Sequence, residues 1–240
     1  MSNGKIESQE KEINYGQNIL NCLEEIRKHP YYKNEAAASG AVHNYARHED
    51  AISHTLLKHG FHNETNNFKL NKKETMRWID QPELSSDFPN GSFIEQPFGK
   101  QQSPDFIIKV NNKFVLFLEA KSSATSLTPT YNSGIPNKNF LYVFCAKEKN
   151  QTTIYMGDNI ITSEQHKLID KHIKEARERD EILNQELKKL DTNHRGISYY
   201  TRPMINQSGG KFYTNYFVHK QRQSAEEYTI NWVTEKCYSS

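Results

Sequence analysis

Apolar positions change period along this chain, and the change divides it into three stretches. Ile13, Ile19, Leu20, Leu23 and Ile26 recur at helical spacing, which predicts an amphipathic helix over 10–29 that ends at Pro30. A second helix is expected over 41–59, with Ile52, Leu56 and Leu57 on its inner face and Gly60 as its stop. From 63 to 90 the pattern weakens to one short helix near 74–79 and a loop broken by Pro82, Pro89 and Asn90-Gly91. The period then becomes that of strands: 93–98, 105–110, 113–119, 140–146 and 152–156 are short runs rich in Phe, Val, Ile and Tyr.

A long helix is expected over 163–190, started by Ser163 with Gln165 and striped by Leu168, Ile169, Ile173, Ala176, Ile182, Leu183, Leu187 and Leu190. It has the length to cover the sheet. The tail holds a hairpin signal at Ser208-Gly209-Gly210 and a last apolar segment from Tyr228 to Val233. Helices, a central sheet and a further helix predict an α/β fold in one domain, a mixed β-sheet flanked by helices.

Composition narrows the class of protein. The 240 residues are 35% hydrophobic, 25% charged and 11% aromatic, too rich in core formers for a disordered chain. Lys plus Arg number 31 against 29 acids, a net charge of +2 that excludes a uniformly basic protein but not a local basic cleft. Cys22, Cys145 and Cys237 are far apart, with no paired spacing for zinc or for a disulfide framework. The first residues lack an apolar signal segment, and the longest apolar run, Phe114 to Leu118, is too short to cross a bilayer. The expectation is a soluble protein of a reducing compartment, the cytoplasm of a bacterium or archaeon.

Candidate chemistry lies where two apolar strands meet. Ser103-Pro104-Asp105 opens the first, Asn111-Asn112-Lys113 makes the turn, and Phe114 to Leu118 runs into Glu119-Ala120-Lys121. With Asn112 at the tip, opposed residue numbers sum to 224, so Asp105 faces Glu119 roughly 5 Å away at Cβ and Lys121 emerges on the same face. Two carboxylates at that separation repel, and burial raises the cost. A hard divalent cation removes it. Mg²⁺ takes carboxylate and carbonyl oxygens with water, so Asp105, Glu119 and the Ala120 carbonyl offer a partial shell. Lys121 is then suited to hold the attacking water or to stabilise charge developing on phosphorus.

This arrangement of Pro104, Asp105, Glu119, Ala120 and Lys121 resembles the PD-(D/E)XK nuclease superfamily, and within it most closely the type II restriction endonucleases. The resemblance covers about residues 41–160. It implies a restriction-endonuclease-like fold, Mg²⁺-dependent hydrolysis of double-stranded DNA, a homodimer matched to a palindromic site, and a cognate DNA methyltransferase in the same system. It also implies a glutamate on the preceding helix that touches the metal or its water, for which Glu49 is the candidate in Arg47-His48-Glu49-Asp50. Asn132-Ser133-Gly134-Ile135-Pro136, leading into an apolar strand, is similar to a stretch in some of these enzymes.

Ser122, Ser123 and Lys138 flank the motif strands as candidate phosphate contacts. In the C-terminal region, 191–240, Arg195, Tyr199, Arg202, Asn206, Gln207 and Lys211 interleave basic, aromatic and amide groups of the kind that read bases in the major groove. A polar hairpin with no DNA role fits the same residues. His43, His48, His54 and His59 fall five or six apart, which builds no zinc site on one helical face and reads as a polar helix surface. Two rival functions remain: a repair or recombination nuclease that recognises DNA shape, and a non-catalytic DNA-binding protein of the same fold.

Overall fold

The computed structural model describes residues 13–31, 47–100, 102–124, 127–132, 134–207 and 215–238. Helices α1 (Tyr15–Ile26) and α2 (His48–Lys58) come first, then a two-residue strand β1 (His62–Asn63) and a short helix α3 (Lys72–Thr75) continued by two 3₁₀ turns. Strands β2 (Ser92–Glu95), β3 (Phe106–Asn111), β4 (Phe114–Ser123), β5 (Thr130–Tyr131), β6 (Leu141–Ala146) and β7 (Gln151–Met156) follow. Helix α4 (Ser163–Leu190), strand β8 (Ile205–Asn206) and helix α5 (Arg222–Tyr238) complete the described elements.

Six strands form one mixed sheet in the order β1-β2-β3-β4-β6-β7, and β5 pairs β8 in a separate ribbon. Strand β4 lies inside the sheet, antiparallel to β3 and parallel to β6. This position accounts for its unbroken apolar run: both faces are covered. Leu116, Leu118 and Ala120 face a core shared with Ile19, Leu23, Ile52 and Leu56 of α1 and α2. Val115 and Phe117 face a second core with Phe140, Tyr142, Phe144 and Tyr155, closed by Phe88 and Trp78 from the irregular 64–90 segment. The chain is therefore an α/β protein with a six-stranded mixed sheet flanked by helices.

Residues 10–12 and 41–46 of the expected helices lie outside the described residues; within the described residues α1 spans Tyr15–Ile26 rather than reaching 29, β2 ends at Glu95 rather than at 98, and four further corrections follow. First, Leu57 points outward at 48% exposure, whereas Ala51, Ile52, Thr55 and Leu56 form the buried edge of α2. Second, His48 is not on a polar surface; it is 2% exposed, its ring 6.3 Å from that of His29. Third, α4 does not cover the sheet. Fourteen of its 28 residues are charged, too narrow an apolar supply to face a core, and only Ala176 is buried while Leu168, Ile182 and Leu190 stand in solvent. The cover comes from α5, whose Val233 and Thr229 are fully buried and whose Trp232 ring packs on Phe114 at 5.7 Å. Fourth, α4 is capped by Thr162 rather than Ser163, in a reciprocal capping box with Gln165. The hairpin signal at 208–210 lies outside the described residues, as do His43 and Lys211.

Candidate active site

The β3–β4 hairpin delivers the two acids as its register requires. Phe106 pairs Leu118, Ile107 pairs Phe117, Ile108 pairs Leu116 and Lys109 pairs Val115, each pair summing to the expected number. The ladder shifts by one at Val110, so the turn closes on Asn112-Lys113 with Asn111 opposite Phe114. A bulge near the tip leaves the pairing at the far end untouched. One step beyond Phe106 and Leu118, Asp105 and Glu119 stand on the same face. The Asp105 carboxylate accepts the Ala120 backbone N–H at 2.8 Å, which ties the first acid to the strand that carries the second.

Glu119 is 3% exposed, on a strand buried from Phe114 through Ala120. Lys121, two residues on, donates to its Oε1 at 2.5 Å. The other oxygen, Oε2, is buried with no hydrogen-bond partner among the described residues. Burial pushes the Asp105 carboxyl up to about 7, and the Glu119 charge pushes it further in the same direction, against the Ala120 N–H and the Lys121 ammonium. Burial thus works against a second full negative charge beside Glu119.

Around this pair lies a polar cleft of about 350 Å³ lined by Glu49, Lys100, Gln102, Asp105, Glu119, Ala120, Lys121, Asn132 and Arg202. Glu49 arrives from the first turn of α2, so the helix and the hairpin place it on the same cleft as the acids. Among the described residues no group of three or more His, Cys, Asp or Glu side chains is placed to hold one metal ion. Asp105 and Glu119 are therefore the paired carboxylates, with Glu49 on the wall. Their oxygen donors, the orphaned Glu119 Oε2 among them, suit a hard cation such as Mg²⁺.

The other sequence candidates divide. Ser122 and Ser123 finish β4 beyond Lys121, paired with Cys145 and Ala146 of β6. Lys138 is exposed in the loop before β6. Arg195 is exposed after α4, its backbone N–H held by Asp191. Tyr199 is fixed through its backbone to Asn184 rather than set in a hairpin. Gln207 has its carbonyl oxygen occupied by the hydroxyls of Tyr131, at 2.9 Å, and Tyr216, at 2.6 Å. Asn206 belongs to β8, opposite Thr130. Among the described side chains of this set, only Arg202 lines the cleft.

Two lining residues, Lys100 and Gln102, were not singled out by sequence, and Asn132 was noted only as the head of the Asn132–Pro136 stretch. Lys100 and Gln102 precede Pro104-Asp105 directly, a polar run whose proximity to the motif was a usable signal; Gln102 is held by Lys72 at 2.9 Å. Asn132 contributes its carbonyl, which no side-chain pattern announces. No protein-family model, curated protein or solved structure matches this chain. Among the described residues no helix is long and apolar enough to cross a membrane.

Proposed function

We propose that the chain is a Mg²⁺-dependent DNA endonuclease of the PD-(D/E)XK kind, with a restriction-endonuclease-like fold, acting on specific sites in double-stranded DNA as a type II restriction enzyme. The observation that carries this reading is the buried Asp105–Glu119 pair with one unpartnered oxygen and a lysine at its side. Buried like charges persist where something binds between them.

In this reading Asp105, Glu119 and the Ala120 carbonyl hold the cation. When bound, Mg²⁺ supplies Lewis-acid polarisation of a phosphoryl oxygen and lowers the pKa of water. Lys121, oriented by Glu119 Oε1, donates a hydrogen bond to the attacking water or to a non-bridging phosphate oxygen. Glu49 sits across the cleft, positioned to order water there. Ser122 and Ser123 extend the same strand toward the DNA backbone. A homodimer would present two such clefts to the two strands of a palindromic site. A cognate methyltransferase would protect the host's own DNA, and the cytoplasm of a bacterium or archaeon is the setting.

The test is incubation of the purified chain with a long duplex of known sequence and Mg²⁺. Discrete fragments are expected. A smear, or selective cutting of branched DNA, would assign it to shape-directed repair instead. Tight binding without cleavage in Mg²⁺ or Mn²⁺ would make it a DNA-binding protein of this fold.

A further inference from the structure

Helix α4 contributes little to either core, yet its return path is closely specified. Asp191 turns the chain at the helix end by accepting the backbone N–H groups of Arg195, at 3.0 Å, and Gly196, at 2.7 Å. The chain then runs back along the helix as an extended strap. Asn184 exchanges two hydrogen bonds with the backbone of Tyr199, at 2.6 and 2.8 Å, as a neighbouring strand would. One turn earlier, Asp180 accepts the Thr201 N–H at 2.6 Å and its hydroxyl at 3.0 Å. The next residue is Arg202, on the wall of the catalytic cleft.

Arg202 is thus fixed from two sides. Thr201 is pinned to α4, and the Arg202 Nε donates to the Asn132 carbonyl at 3.2 Å. Its terminal nitrogens take no hydrogen bond among the described residues. The cleft also contains Glu49, Asp105 and Glu119, but the guanidinium pairs with none of them, although such pairs form readily where geometry permits. An exposed planar cation that lines the cleft and pairs with none of its carboxylates among the described residues remains available to an incoming anion. Its fork matches the non-bridging oxygens of a phosphodiester.

From this geometry we infer that Arg202 holds the scissile phosphate, with α4 and its strap as the arm that positions it. The inference rests on the nuclease reading and adds the group that grips the substrate's anion. It separates Arg202 from a base-reading role, because the site of attack must lie beside Asp105, Glu119 and Lys121.

The experiment measures single-turnover cleavage at saturating Mg²⁺, and duplex binding with Ca²⁺ in its place over a range of salt. Arg202→Ala is expected to slow cleavage by about 100-fold, with partial recovery in Arg202→Lys. The slope of log affinity against log salt should fall by about one, with the cleaved sequence unchanged. The Asp180→Ala/Asn184→Ala double variant, which alters no cleft side chain, should slow cleavage similarly with an unchanged far-UV circular dichroism spectrum. Full activity of Arg202→Ala beside an inactive Glu119→Gln would overturn the inference and leave the nuclease reading standing. So would relaxed preference at one base pair with a normal rate. A fully active double variant beside a slowed Arg202→Ala would overturn the role of the arm. A wild-type chain that never cuts duplex removes the nuclease reading, and this inference with it.

Discussion

Glu119 accepts a hydrogen bond from Lys121 on one carboxylate oxygen, at 2.5 Å, and keeps the other buried without a partner among the described residues. The pairing is intra-strand: side chains two apart on β4 share a face, so lysine and glutamate meet without help from another element. The lysine pairs with Glu119, while burial first and the Glu119 charge second raise the proton affinity of Asp105.

Removal of the central acid tests the site directly. Glu119→Gln keeps the side-chain shape and should lower Mg²⁺-dependent cleavage by at least about 1,000-fold, the upper end of what one stabilising group contributes. Lys121→Ala should do the same, with each variant folding normally by circular dichroism. Undiminished cleavage in either would sink the site assignment.

Asp105 links the site to pH. Its folded-state pKa, pushed up to about 7, lies above the ordinary carboxyl value, so its favourable contribution is present below about pH 4 and is lost as pH rises through 7. Without metal, Asp105→Asn should therefore melt at a higher temperature than wild type at pH 8, and no higher at pH 4. Mg²⁺ should stabilise wild type more at pH 8 than at pH 5.5, where protons compete for the same oxygens. Equal Mg²⁺-induced shifts at the two pH values would contradict this linkage.

His48 links the fold to pH with the opposite sign. Burial holds its imidazole down to about 3, and burial likewise lowers the neighbouring His29 to about 4. Stability is complete above about pH 6.5 and falls as pH drops toward those values, by up to about 3 kcal/mol for His48 alone at pH 4.5. Neither ring nitrogen of His48 has a partner among the described residues, so His48→Leu forfeits no hydrogen bond to them. Melting curves from pH 7 to 4.5 should decline less steeply in this variant; parallel declines would show that other groups govern acid unfolding.

Gly157 joins the loop before β6 to the end of β7. A Cβ there would lie 1.9 Å from the Asn137 carbonyl oxygen, which is backbone and cannot rotate away. Gly157→Ala should cost about 1–3 kcal/mol in urea unfolding. A loss below about 0.5 kcal/mol would mean that this loop moves freely.

Much of the site was legible because hairpin arithmetic is local. Once a turn at Asn112 and two apolar strands are recognised, the pleat assigns Asp105, Glu119 and Lys121 to one face, and the bulge at Val110 alters only the tip. The helical stripe of α4 was equally visible and led the other way. Its spacing is that of an amphipathic helix, but periodicity reports which side chains share a face, not whether anything covers that face. The choice of α5 over α4 as the layer on the sheet depended on packing partners such as Phe114 and Trp232, which are 118 residues apart.

The sequence by itself determined the strands, the acid pair and its lysine, because each follows from the short-range geometry of the pleat. It also carried the charge balance of the cleft without revealing it: the net of +2 sums acids and bases that lie side by side. Only the tertiary structure decided which other charged groups share the cleft with the acid pair. Lys100 comes from the segment before β3, Glu49 from α2 and Arg202 from the strap on α4, three separate stretches that no sequence period relates. Their meeting depends on chain crossings and on hydrogen bonds such as those that Asp180 and Asn184 accept from backbone N–H groups 15 to 21 residues away in an extended return. Local periodicity fixes which face a side chain takes; only long-range packing fixes what that face meets.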